Sequence, residues 1–146
     1  ARVRVDPETG EVTVLQVGAV HDPGSDINPT GARGQVTGGV AMGLGQVLTE
    51  ATSFAPDSLV QNPNLLDYKL PTTAAVPDIS VDFYERPGAD AGPKGSRGLG
   101  EPPVIPTPGA VANAIARASG ARVRELPASP ERVWAAIRSR EEAVAR

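Results

Sequence analysis

GQVTGGVAMGLG, residues 34–45, is the stretch on which the fold of this chain turns. Val36, Val40, Leu44, Val47 and Leu48 recur at helical spacing, which predicts a helix from Gln35 to Glu50. Four glycines fall inside it: Gly38, Gly39, Gly43 and Gly45. Each destabilises a helix by roughly 1 kcal/mol relative to alanine. A helix that tolerates them is expected to be approached closely by another backbone or by a ligand. The run is not a nucleotide-binding fingerprint, because its glycines lie within the helix and not ahead of it.

Upstream, residues 2–5 alternate polar and apolar, DPETG supplies a turn, and Val12, Val14 and Val17 carry a second strand to about Asp22. This is a hairpin with glycine at the turn. Residues 22–34 (DPGSDINPTGARG) have loop chemistry. Downstream, 51–54 suggest a short strand, and 55–76 an irregular stretch punctuated by proline. Ile79, Val81 and Phe83 alternate as a strand, and 87–109 form a second Gly/Pro-rich segment. Residues 108–118 read as a helix stopped by Gly120. Val123 and Leu126 suggest a brief strand. A last helix starts at Ser129 as N-cap with Pro130 in its first turn, and presents Val133, Trp134 and Ile137. Beyond about Ser139 its charged tail is expected to fray. The fold class is α+β: short strands, about three helices and long Gly/Pro loops.

Composition narrows the function. Aromatics make up 3% of the chain, against 16 Gly and 15 Pro, so the core must be built from Val, Ala, Leu and Ile. Such a core lacks large anchors, and the chain is expected to pack against more protein. The net charge of −3, scattered basic residues and few rings argue against nucleic acid as a partner. No long apolar run marks a membrane span. The opening ARVRVDPETG enters directly on a strand pattern and lacks an initiator Met; it reads as a cut or processed start, not as a signal peptide. A cytoplasmic location is expected. With no Cys and one His, the chain itself holds no disulfide, iron–sulfur ligand set or thiolate zinc site.

Several blocks, in order, resemble the molybdopterin-binding large subunit of the xanthine dehydrogenase/aldehyde oxidase family of molybdenum hydroxylases. They are His21-Asp22 followed by Asn28-Pro29, GQVTGGVAMGLG (34–45), NPNLLDYKLPT (62–72), GSRGLGEPPVIPTPGAVANAI (95–115) and ELPASPERVWAAI (125–137). The resemblance covers essentially all of residues 1–146. It implies the C-terminal part of the molybdopterin-binding domain, with the rest of the large subunit elsewhere. The chain departs from the family pattern at Thr37, Met42 and Ser96-Arg97.

The implied chemistry is oxidative hydroxylation of an N-heterocycle or aldehyde carbon, with water as the oxygen source. The metal is held by a molybdenum–pterin cofactor, molybdopterin or its cytosine dinucleotide form, and not by side chains. Iron–sulfur clusters and FAD are expected on partner domains or subunits. Glu101 matches the family's base. Gly98 and Gly100 permit close backbone approach, and Pro102-Pro103 stiffen the exit from the loop. A stiffly held carboxylate suits general-base work; a lone loop glutamate is otherwise most often a solvated acid. Gln35 matches a glutamine that hydrogen-bonds the pterin, and the apolar period puts it at a helix start, where free N–H groups favour anions. Main-chain groups of Ser96, Arg97 and Gly98 correspond to a further cofactor-lining stretch, or form a plain Gly-rich turn. His21 reads as a structural residue at a strand end, Asp67, Tyr68 and Lys69 as loop anchors, and Arg132, Arg138 and Arg140 as a solvated helix face. Two alternatives stand beside this reading: a carbon monoxide dehydrogenase-like large-subunit fragment, and a non-catalytic assembly or packing module. The chain alone is expected to be inactive.

Overall fold

Asn28 and Pro29 begin the central helix earlier than its apolar period does. In the computed structural model, which describes residues 1–84, 86 and 92–145, helix α1 runs Pro29–Leu48. The Asn28 side chain accepts the Gly31 N–H at 3.0 Å, and proline at the first helical position has no N–H to leave unpaired. The expected start at Gln35 is therefore late by six residues. Asn28-Pro29 is a cap and not part of the loop.

Val36, Val40, Leu44 and Val47 of α1 are buried at 0–3% exposure, and with them Val17, Val81, Val111, Ile115, Val133 and Ile137 form an aliphatic core. Among the described residues the core contains no fully buried aromatic ring, in keeping with the composition. Three strands cover one side of it: β1 (Arg2–Val5), β2 (Val12–His21) and β3 (Asp78–Phe83). Their order is β1-β2-β3. β1 and β2 form the antiparallel hairpin, whereas β3 lies parallel to β2. Arg2 faces Gln16 and Val3 faces Val14, so Leu15 is an extra residue in β2. Such a bulge shifts the alternation by one residue. Hence Val12 and Val14, and then Val17 and Ala19, all pack on the core.

Helix α2 (Pro106–Ser119) packs on α1 and β1. It ends as expected at Gly120, whose φ of 71° is the left-handed cap that glycine adopts readily. Helix α3 (Pro130–Val144) has the expected Ser129 cap, accepting from the Arg132 N–H at 3.4 Å. It continues past Ser139 to Val144. An Arg138–Glu141 pair at 2.8 Å bridges its last turns, and good helix formers carry it to Val144. Trp134 is 42% exposed and is no core residue; Arg138 lies over its ring, 5.5 Å from the centroid.

Neither brief strand forms. Residues 51–54 contribute only an isolated bridge, Phe54 with Val60. Val123 and Leu126 find no partner strand; the Ala128 N–H donates instead to the Val47 carbonyl at 2.7 Å. The 55–76 segment is irregular, as expected, and is pinned where predicted: Tyr68 donates to Glu50 at 2.7 Å, Asn64 to Asp67 at 3.1 Å, and Lys69 to the Leu66 carbonyl. The Glu50 carboxylate pushes the Tyr68 hydroxyl above its usual range. The Gly/Pro segment read at 87–109 falls partly outside the described residues, at 87–91. Among the described residues no helix is long and apolar enough to cross a membrane.

The expectation of close approach to α1 is right for Gly39 and not for Gly38. A Cβ on Gly39 would lie 2.6 Å from Pro103 Cβ, while one on Gly38 meets nothing within 4 Å. Gly38→Ala is accordingly expected to stabilise the protein by up to about 1 kcal/mol through helix propensity alone. Thermal unfolding would show this as a raised midpoint. A lowered one would mean that Gly38 has a neighbour beyond these residues.

Candidate functional site

The Gly39 contact fixes one end of the GLGEPP loop. Pro103 is fully buried against α1. The Val104 N–H donates to the Glu101 carbonyl at 2.9 Å, and the Thr107 hydroxyl to the Pro103 carbonyl at 3.0 Å, so the exit from the loop leads straight into α2. Gln35 adds a side-chain anchor: its Nε2 donates to the Gly100 carbonyl at 2.5 Å.

The other end is held by the loop after β2. The Arg97 N–H donates to the Pro23 carbonyl at 2.7 Å, and the Ser25 N–H to the Gly95 carbonyl at 2.8 Å. Gly24 and Ser96 form an antiparallel bridge. The Arg97 guanidinium pairs with the Asp22 carboxylate. The His21 carbonyl, at the end of β2, receives the Tyr84 N–H at 2.9 Å.

Between these anchors the backbone is open. Among the described residues, the N–H groups of Gly98, Leu99, Gly100 and Glu101 find no acceptor. A Cβ at Gly98 or Gly100 would meet nothing within 4 Å. The Glu101 carboxylate is exposed and has no hydrogen-bond partner among the described residues.

The structure brings Gln35 and Ser96 together, with Leu99, on a cleft of about 240 Å³ that also takes in Asn28 and Gly31. Glu101 adjoins it through the Gly100–Gln35 bond. Gln35 does not sit at the helix start, however. The helix begins six residues earlier, so the free N–H groups belong to its first turn and the anion argument does not apply to Gln35. Of the stretch 96–98, Ser96 and Arg97 already donate their main-chain N–H groups within the chain; the Gly98 N–H has no acceptor among the described residues. The open donors therefore lie one step further on than the sequence suggests, at Gly98–Glu101. The Gly-x-Gly spacing at 98–100 is the signal that could have marked Leu99 and Gly100. Asp22, quoted only as part of a motif, proves to be a junction of the loops.

A sheet–helix scaffold presenting such a loop defines a class, and sequence comparison agrees with it. Residues 1–77 match the family model for the molybdopterin cofactor-binding domain. The chain belongs to this family, that of the molybdenum hydroxylase large subunits. It is 40% identical over 131 residues to the xanthine dehydrogenase molybdenum-binding subunit of Escherichia coli O157:H7, covering 89% of this chain and 17% of that one. Quinoline 2-oxidoreductase from Pseudomonas putida 86 superposes with a TM-score of 0.86 at 34% identity, over 93% of this chain and 18% of that one. The Cu,Mo-CO dehydrogenase superposes at 0.83 with 25% identity, over 92% and 17%. The chain thus spans about a sixth of the length of the relatives it matches.

The residues present fit a molybdenum–pterin group. Four successive donors without acceptors among the described residues, two of them on glycines, can receive oxygen or sulfur acceptors at close range. The carboxylate at their end, without a hydrogen-bond partner among the described residues, can take a proton.

Proposed function

We propose that residues 1–146 are the C-terminal part of the molybdopterin-binding domain of a molybdenum hydroxylase large subunit, and that Glu101 is its base. The enzyme converts an N-heterocycle or aldehyde carbon, R–H, with water into R–OH, two protons and two electrons. The observation that carries this reading is the Glu101 carboxylate, without a partner among the described residues, at the end of a donor run that is fixed at both ends. The molybdenum–pterin cofactor, when bound, supplies the two-electron acceptor. Gly98, with Leu99 and Gly100, offers it main-chain N–H groups. Gln35 holds the Gly100 peptide and keeps its amide oxygen available, and Ser96 and Arg97 hold the entry to the run. Glu101 accepts one of the two protons at a carboxylate oxygen. The higher identity to the xanthine dehydrogenase subunit and to quinoline 2-oxidoreductase than to the CO dehydrogenase supports a heterocyclic or aldehyde substrate.

The remainder of the large subunit is the first partner, and iron–sulfur and FAD-bearing domains or subunits take the electrons. A stretch of exposed apolar residues supports the first: Phe54, Leu59, Leu65, Leu66 and Leu70 are 53–78% exposed. An apolar segment of this kind marks a surface that more protein covers.

Two preparations test the proposal. Chain 1–146 purified alone is expected to hold no stoichiometric molybdenum and to reduce no dye, since it offers only two of the segments that line the site. The complete enzyme is expected to hold molybdenum and to place oxygen from labelled water in the product. Full molybdenum and turnover in the chain alone, or product oxygen from dioxygen, would overturn the reading.

A further inference from the structure

We infer that Asp22 is a positioning residue for Glu101, acting through Arg97; this rests on the reading of Glu101 as the base. The Asp22 carboxylate gathers three donors from separate parts of the chain: the Gly24 N–H at 2.9 Å, the Arg86 N–H at 3.4 Å and the Arg97 guanidinium. Arg86 follows β3, and Arg97 opens the donor run. One carboxylate therefore ties both ends of segment 86–97 to the end of β2, and sets where the run to Glu101 begins.

The surroundings are built to the same purpose. Gly24 has a φ of 66°, in the left-handed region, and any side chain on it would strike the Gly95 carbonyl. This lets the 22–25 loop lie flat against 95–97, where the Ser25 and Arg97 main-chain bonds form. Among the described residues Asp22 is the acid that pairs with Arg97. Between the Arg97 N–H, bonded to the Pro23 carbonyl, and the Gly100 carbonyl, bonded to Gln35, no main-chain hydrogen bond is made among the described residues. The Asp22–Arg97 pair is thus the side-chain hold on the entry, beside the Pro23 bond, and a shift there acts on the three-residue stretch that leads to Glu101. The Gly24 N–H and the Arg97 charge hold the Asp22 carboxyl below its usual range. Its contribution is therefore complete above the ordinary aspartate range, and is lost as pH falls through the lowered value.

The test is Asp22→Asn in the complete enzyme. The amide keeps an acceptor for Gly24 but removes the charge from Arg97. Molybdenum content and KM should hold, while kcat falls about ten- to a hundredfold, the scale set by a small misplacement of a reacting group. Amide hydrogen exchange should quicken at Arg97 and also at Val104, whose N–H bonds the Glu101 carbonyl. A merely local role would quicken Arg97 alone. Arg97→Gln should give the same pattern, and the double variant should be no worse than the worse single one. If Asp22→Asn does not fold or load cofactor, Arg97→Gln decides by the same readouts, since it leaves the Gly24 and Arg86 bonds intact. Parental exchange at Val104, or a parental kcat, overturns the inference. Glu101→Gln separates it from the base reading: a fast Glu101→Gln sinks that reading, while Val104 exchange still reports on Asp22.

Discussion

Glu101→Gln in the complete enzyme is expected to keep its fold and its molybdenum, and to slow the reductive half-reaction by about 10²–10⁴-fold, the usual worth of a positioned base. The structural side of this follows from what Glu101 touches. Its carboxylate has no hydrogen-bond partner among the described residues, so the amide breaks nothing there. Its carbonyl, which receives the Val104 N–H at 2.9 Å, is unchanged. Pro103 remains seated on Gly39. The chemical side follows from the proton: a glutamine has the same size but cannot accept it. Anaerobic stopped-flow, with molybdenum measured on the same sample, separates the two. A fully loaded variant reduced at the parental rate would make Glu101 an ordinary loop acid. A variant that loses its molybdenum would make it a structural residue of the site.

The periodic parts of this fold were readable from the sequence, and the parts set by partners were not. The α1 face at Val36, Val40 and Leu44, the hairpin, β3 and the caps at Gly120 and Ser129 follow from local rules, and they are present. The early start of α1 was also local, in Asn28-Pro29, but loop residues on both sides of that pair hid it. Val123 and Leu126 failed for a different reason. A strand needs a neighbour, and the Ala128 N–H spends itself on the last turns of α1 instead. The site divides in the same way. Glu101 and Gln35 were marked by resemblance, and their meeting through Gly100 depends on a contact across 65 residues that no spacing rule contains. Asp22 belongs to the same group: its importance lies in joining Arg86 and Arg97, both distant in sequence.

Gly39→Ala should act against helix propensity, and this is the sharper test of how α1 supports the site. The new Cβ would lie 2.6 Å from Pro103 Cβ, 3.3 Å from the Val104 nitrogen and 3.4 Å from the Pro103 carbonyl carbon. Pro103 is a fully buried ring whose main chain turns at once into α2, so it cannot swing aside as a long side chain would. Overpacking of this kind destabilises by about 1–3 kcal/mol, against about 1 kcal/mol gained from helix propensity. A net loss of up to about 2 kcal/mol follows, and a greater one for Gly39→Val. The loss should reach the chemistry too, because the peptide that Pro103 pushes upon carries Glu101. Gly43→Ala, one turn along, meets the Thr107 side chain at 2.6 Å and belongs to the same close crossing. Gly38→Ala, one residue away with open space, is the control. The expected order of stability is therefore Gly38→Ala above the parent, the parent above Gly39→Ala, and Gly39→Val lowest, with the rate of molybdenum reduction following the Gly39 series and not Gly38. If Gly39→Ala matches Gly38→Ala in both stability and rate, α1 does not brace the GLGEPP loop, and Pro103 is held from elsewhere.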